Sequence, residues 1–148
     1  MKFIVHTDGG ARGNPGPAAI GVVIEEVHSS PFMVHGKAEV VIEFGKTIGE
    51  ATNNFAEYTA VIEALKWLKN YPGASAPYAS IQCFLDSTLV VNQLNGTFKV
   101  KNARLRELLT EIRVAESELG GEIAYHFVPR EENTRADFLV NKALDENS

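Results

Sequence analysis

Lys2-Phe3-Ile4-Val5-His6-Thr7-Asp8 is the run on which the fold of this 148-residue chain turns. Its apolar residues fall on both faces, the pattern of a strand in the middle of a sheet with cover on each side. Gly9-Gly10-Ala11-Arg12-Gly13-Asn14-Pro15-Gly16-Pro17 follows, a cluster of turn formers that closes the strand at Asp8. Ala18 to Val27 reads as a second strand and Ala38 to Thr47 as a third. Ser29-Ser30-Pro31 and Gly36 break the stretch between them, so the first three strands form an antiparallel meander. From Asn54 to about Lys69 the period turns helical. Ser80 to Leu85 is another strand, followed by a short helix near Ser87 to Leu94 and a longer one from Asn102 to Leu119. Glu122 to Val128 is a fifth strand and Asn133 to Leu144 a last helix. This order predicts an α/β domain with a mixed five-stranded sheet, three antiparallel strands then two parallel ones, flanked by helices. The sequence shows no internal repeat and no linker, so a single domain over 1–148 is expected.

Composition narrows the class without choosing a function. A hydrophobic fraction of 45% and a charged fraction of 22% are ordinary for a globular domain. Fourteen basic against nineteen acidic side chains give −5, which argues against a sequence-indifferent nucleic-acid coat. The single cysteine, Cys83, rules out an internal disulfide and a Cys-built zinc site. No apolar run approaches the roughly 18–20 residues of a membrane span, and the first residues are too short and polar for a signal peptide. A soluble, cytoplasmic protein with no membrane partner is the expectation.

The glycine-rich stretch invites a nucleotide-binding reading and fails it. Gly10, Gly13 and Gly16 are not followed by Gly-Lys-Ser/Thr, and the next element reads as a strand rather than a helix. A tight strand connection remains, or a turn that lets backbone approach a ligand closely with Asp8 at its rim.

The carboxylates are more informative. Of nineteen acidic residues only four are aspartates, and Asp8, Asp86 and Asp137 sit at the ends of elements. Asp8 ends the central strand, and Asp86 directly follows Ile81-Gln82-Cys83-Phe84-Leu85. If the two strands are parallel, both stand at the carboxyl edge where open α/β sheets bind ligands. Glu57 shares a helix face with Ala60, Val61, Ala64 and Leu68, opposite Thr59, Glu63, Lys66 and Asn70. An ionised carboxylate on the core face is costly unless paired or metal-bound. Asp137 lies one turn into the last helix, beside Ala136, Val140 and Leu144. Each admits a plain role, as turn cap, helix-dipole partner or N-cap. Together they can meet at one sheet edge, where repulsion would raise their pKa values and hard divalent cations would relieve it. A pair of such ions can activate water and stabilise a leaving oxygen, so the reading is a two-metal phosphoryl-transfer site.

Four blocks in order carry a resemblance: Thr7-Asp8-Gly9-Gly10 with Gly13-Asn14-Pro15-Gly16-Pro17; Thr52-Asn53-Asn54-Phe55-Ala56-Glu57; Asp86-Ser87; and Glu132-Asn133-Thr134-Arg135-Ala136-Asp137. Over nearly the whole chain these resemble type 1 ribonuclease H, in a compact form without the basic protrusion. The resemblance implies the ribonuclease H-like fold and a metal-dependent endoribonuclease. Such an enzyme hydrolyses the RNA strand of RNA–DNA hybrids with two Mg²⁺ or Mn²⁺ ions and leaves 5′-phosphate ends. It implies that Asp8, Glu57, Asp86 and Asp137 are both catalytic and metal-binding, with Asp8 between the ions. It also assigns substrate contacts to Gly9, Asn14, Thr52, Asn53, Asn54, Thr88 and Asn133. Asn53 and Asn54 could instead cap the helix. A monomer is the expected unit. The alternatives are a broader nuclease that also cuts double-stranded RNA and a non-catalytic hybrid-binding module.

Two departures stand out. Leu94 to Asn102 joins the two middle helices directly, leaving Lys99, Lys101, Arg104 and Arg106 as the basic cluster, which reads equally as a solvated helix face. The loop Pro129-Arg130-Glu131-Glu132 lacks the histidine some relatives carry, so Arg130 or Glu131 is the candidate helper. His126 falls inside a strand and reads as packed or at an edge, His28 and His35 as facing solvent. Trp67, Phe55 and Tyr58 read as helix packing.

Overall fold

The central strand β1 (Lys2–Ala11) pairs antiparallel with β2 (Gly16–His28) and parallel with β4 (Ser80–Leu85). β3 (Lys37–Ala51) extends the sheet antiparallel beyond β2, and β5 (Glu122–Phe127) extends it parallel beyond β4. The order β3-β2-β1-β4-β5 is the expected meander followed by two parallel strands. These positions come from a computed structural model that describes residues 1–28 and 37–147. The breaks at Ser29-Ser30-Pro31 and Gly36, and His35, lie outside the described residues.

Among the described residues four helices cover the sheet: α1 (Asn53–Lys69), α2 (Thr88–Leu94), α3 (Ala103–Leu119) and α4 (Thr134–Glu146). Alternation along β1 sends Phe3 and Val5 to one face, where they meet Val22, Ile24, Ile81, Cys83 and Leu85 under Tyr58, Val61, Leu65 and Leu68 of α1. Leu105, Ile112 and Leu119 close that core from α3, one apolar stripe at helical spacing. The other face is covered by α4, whose Val140, Ala143 and Leu144 pack on Ala19. Among the described residues no helix is long and apolar enough to cross a membrane.

The glycine-rich stretch departs from its reading as a loop. Strand β1 runs on through Gly9 and Gly10 to Ala11, and the turn is only Arg12 to Pro15, closed by Arg12 N–H donating to the Pro17 carbonyl at 2.9 Å. The reason lies in the helix above. A Cβ on Gly9 would sit 2.3 Å from the Ala56 carbonyl carbon, so glycine is needed there for close strand–helix approach. Under α4 the same device recurs: a Cβ on Gly21 would lie 2.2 Å from the Ala136 oxygen, and one on Gly45 2.3 Å from the Leu139 oxygen. Helices α1 and α4 therefore approach the sheet at glycines where a Cβ would clash, which helps place Glu57 and Asp137. β3 also continues past Thr47 to Ala51, following β2 through register shifts at Ala18/Ala19 and Ile24/Glu25.

Candidate active site

The parallel register brings the first two carboxylates together. His6 pairs with Phe84, so two residues further along each strand Asp8 comes level with Asp86. Helix α1 starts at the same edge because Thr52 caps it, its Oγ1 accepting from Phe55 N–H at 3.1 Å. Neither Asn53 nor Asn54 takes the capping role, since both already lie inside the helix. One turn in, Glu57 is 6% exposed, on the face that carries Ala60, Val61, Ala64 and Leu68. Asp8, also 6% exposed, Glu57 and Asp86 each place a carboxylate oxygen within 4.8 Å of the other two. Asp137 stands outside that triplet but lines the same crevice of about 590 Å³, half-buried at the start of α4.

The electrostatics follow first from burial. Burial pushes the Asp8 carboxyl up to about 7, with the charges of Asp86 and Asp137 adding to the rise. Glu57 is raised well above the usual carboxylate range, first by burial and then by Asp8 and Asp86. Contact between the two side chains adds to the rise at Glu57 and opposes it at Asp8. The Gly9 backbone N–H donates to both carboxylates and opposes the rise. Asp86 is raised by burial and held back by Asn133 and by the Arg130 guanidinium.

Glu57 Oε2 and Asp86 Oδ2 are buried and have no hydrogen-bond partner among the described residues. Buried carboxylate oxygens without partners cost free energy, so the crevice is shaped for a ligand that supplies positive charge. All of its acidic donors are oxygens, the set preferred by Mg²⁺, Mn²⁺ and Ca²⁺. The residues present fit a hard divalent cation.

The other sequence candidates distribute around this centre. Gly9, Asn53, Asn54, Thr88 and Arg130 line the crevice itself. Asn14 and Thr52 line a second hollow beside it, with Asn53, Asn54, Phe55, Asn102 and Arg104. Asn14 Oδ1 accepts from Asn53 N–H at 2.9 Å, and Asn53 Oδ1 accepts from Ala11 N–H at 2.8 Å. Both side-chain oxygens are thereby used inside the protein, which leaves the amide NH₂ of each as its donor for a ligand. Glu131 lies exposed in the 3₁₀ turn Arg130–Glu132 and is not among the crevice-lining residues. Asn133 is 1% exposed and offers no surface for a ligand to touch.

Arg104 lies over the Phe55 ring, its guanidinium carbon 4.5 Å from the centroid, so it is not merely a solvated helix residue. Lys99, Lys101 and Arg106 are exposed. His126 is exposed on β5, where its ring leans on Phe84 and its Nε2 lies 2.7 Å from Gln82 Oε1, away from the crevice. His28 is exposed. Trp67 stacks on Tyr71, and the buried Tyr58 hydroxyl donates to Gln93 Oε1 at 2.6 Å, so both are packing residues. Sequence reading passed over Asn141, a crevice residue whose Nδ2 donates to the Asp137 carbonyl at 3.0 Å. Its i+4 spacing from Asp137 was the available signal.

A mixed five-stranded sheet in this order, with an acidic crevice at the carboxyl ends of its parallel strands, defines a protein of the ribonuclease H-like fold. Residues 6–143 match the family model described as reverse transcriptase-like. A Clostridium botulinum ribonuclease H is 31% identical over 160 aligned residues, covering 98% of this chain and 97% of that protein. The chain belongs to the ribonuclease H family. It is also similar to the crystal structure of LC11-RNase H1, isolated from compost and solved in complex with an RNA/DNA hybrid. That match has a TM-score of 0.84 and 40% identity and covers 98% of both chains. A bifunctional protein of Mycobacterium tuberculosis is 38% identical over 98% of this chain, but the chain spans only 36% of that protein's length.

Proposed function

We propose that the chain is an endoribonuclease that hydrolyses the RNA strand of RNA–DNA hybrids, leaving 5′-phosphate ends, with residues 1–148 acting as one unit. The observation that carries this reading is the triplet of buried Asp8 and Glu57 with half-buried Asp86, within 4.8 Å, holding two buried carboxylate oxygens without partners among the described residues. The LC11 relative, solved with a hybrid, supports the substrate class. Asp8, Glu57, Asp86 and Asp137 would hold two Mg²⁺ or Mn²⁺ ions, which would supply activation of the attacking water and stabilisation of the leaving 3′-oxygen.

The protein's own groups do the rest. The Gly9 N–H fixes the Asp8 and Glu57 carboxylates. Asn14 and Asn53, with their oxygens anchored, present N–H donors. Minor-groove edges expose acceptors at every base pair, so donors alone read the duplex without regard to sequence. Groove shape and 2′-hydroxyls tell an A-like hybrid from duplex DNA. Arg130, beside Asp86 at the crevice wall, is the helper candidate for releasing product, ahead of the outlying Glu131.

The test incubates labelled RNA–DNA hybrid, RNA duplex and DNA duplex with Mg²⁺, with Mn²⁺, or with chelator. Cleavage of the hybrid's RNA strand to 5′-phosphate ends, in metal only, is expected. Intact hybrid at every metal concentration refutes the reading, and equal cutting of the RNA duplex would assign the broader specificity.

A further inference from the structure

Asn133 stands at the N-cap position of α4, where an asparagine ordinarily turns its oxygen onto the helix's first amides. Here it makes no side-chain cap, and its side chain is buried to 1% exposure. The amide Nδ2 instead donates to the Thr7 carbonyl at 2.9 Å, across 126 residues of chain. The same side chain lies against the Asp86 carboxylate, where it favours the ionised form, although its one completed hydrogen bond is to Thr7. Its Oδ1 has no partner among the described residues. The residue thus forgoes its capping bond and leaves an acceptor unsatisfied, both costs to folding. A side chain held at such cost behind the crevice carboxylates calls for a return elsewhere.

Its position shows what that return is. Thr7 immediately precedes Asp8 at the end of β1, and Asn133 immediately precedes the helix that carries Asp137. Asp137 N–H in turn donates to the Asn133 carbonyl at 3.1 Å. One residue therefore ties the end of β1 to the start of α4 while its amide flanks Asp86. Three of the four crevice carboxylates are held relative to one another through it.

Resting on the reading of the crevice as a divalent-cation site, we infer that Asn133 is a positioning residue that sets the spacing of Asp8, Asp86 and Asp137 for the cation and does not touch the nucleic acid. This differs from the substrate contact implied by family resemblance.

The experiment compares the full chain with Asn133→Ala and Asn133→Ser, the serine keeping a short donor. Mn²⁺ binding is measured by calorimetry without substrate, hybrid affinity by anisotropy in chelator, and cleavage across a metal series. Loss of such a supporting residue costs about 10–100-fold in metal affinity. The alanine variant should bind Mn²⁺ at least about tenfold more weakly and need correspondingly more metal for half-maximal cleavage. Near-wild-type rates should return at saturating metal, hybrid affinity in chelator should be unchanged, and serine should fall between. Weaker hybrid binding in chelator with unchanged Mn²⁺ affinity would overturn the inference in favour of a substrate contact. A lower melting temperature with unchanged Mn²⁺ affinity would overturn it in favour of a structural role. If alanine does not fold, the serine variant decides by the same criteria. A wild-type chain that binds no Mn²⁺ overturns the metal-site reading itself, and this inference with it.

Discussion

Asp8→Asn should make the metal-free protein more stable while abolishing hydrolysis. In the folded chain burial and neighbouring charges push Asp8 up to about 7, against an ordinary 3.8. A carboxyl whose folded pKa is raised contributes stability in full below its unfolded pKa. That contribution is lost as pH rises through the folded value, so the window runs from about 4 to about 7. Between pH 5 and 8 about two pH units of it are expressed, a ceiling of about 3 kcal/mol at 1.36 kcal/mol per unit. Asn keeps an oxygen for the Gly9 N–H and removes the charge, so it escapes this loss. For a domain of this size about 3 kcal/mol corresponds to a melting shift of roughly 6–12 °C. Glu57 is itself raised by burial and by Asp86, so it retains part of the pH dependence in the variant. The assay is thermal melting in chelator at pH 5 and pH 8 at fixed ionic strength. The wild type should melt lower at pH 8, and the variant's advantage should be larger there than at pH 5. A variant that melts below wild type at pH 8, or one that still cleaves hybrid well in saturating Mg²⁺, refutes the argument.

Three further outcomes follow from the same geometry. Millimolar Mg²⁺ or Mn²⁺ should raise the melting temperature, because the ions bind the folded crevice and not the unfolded chain, and Glu57→Gln should blunt the rise; melting curves that ignore the metal would count against the cluster as a cation site. Gly9→Ala should destabilise by about 3 kcal/mol, because its Cβ meets the Ala56 backbone at 2.3 Å, and it should weaken metal binding by moving α1; denaturant unfolding at wild-type stability would contradict this. Neutralising Lys99 and Lys101 together should weaken hybrid binding equally for all sequences and flatten its salt dependence, read as anisotropy in Ca²⁺ across a salt series; a steep, unchanged slope would move the phosphate grip to Arg12, Arg130 and Arg135.

The sheet and its acidic edge were legible because local pattern and topology agreed. The both-faces apolar run before Asp8 and the strand ending at Leu85 place two aspartates at one edge once a parallel crossover joins them. Glu57 betrayed itself by standing on an apolar helix face. What stayed hidden depended on contacts distant in sequence. Gly9 and Gly10 look like turn residues, yet both pair with β2 opposite Ile20 and Ala19, and Gly9 lets the Ala56 backbone approach. Thr52 rather than an asparagine caps α1, because Asn53 is drawn to the turn after β1. Asn133 resembles an exposed cap, and its inward amide is visible only when the Thr7 carbonyl lies beside it.

The two flanks of the sheet have a consequence for behaviour in concentrated solution. β3, fifteen residues long and mostly exposed, could template a foreign strand along its outer side. It carries Lys37, Glu39, Glu43, Lys46 and Glu50, and β2 bends beneath it at two register shifts. Charge along an outer strand and local twisting are both means by which sheets discourage strand-by-strand growth. At the opposite flank β5 stops after six residues, shortly before Pro129, too short to seed an extended ladder. The molecule thus guards itself against polymerising through its own backbone, by electrostatics on one side and brevity on the other.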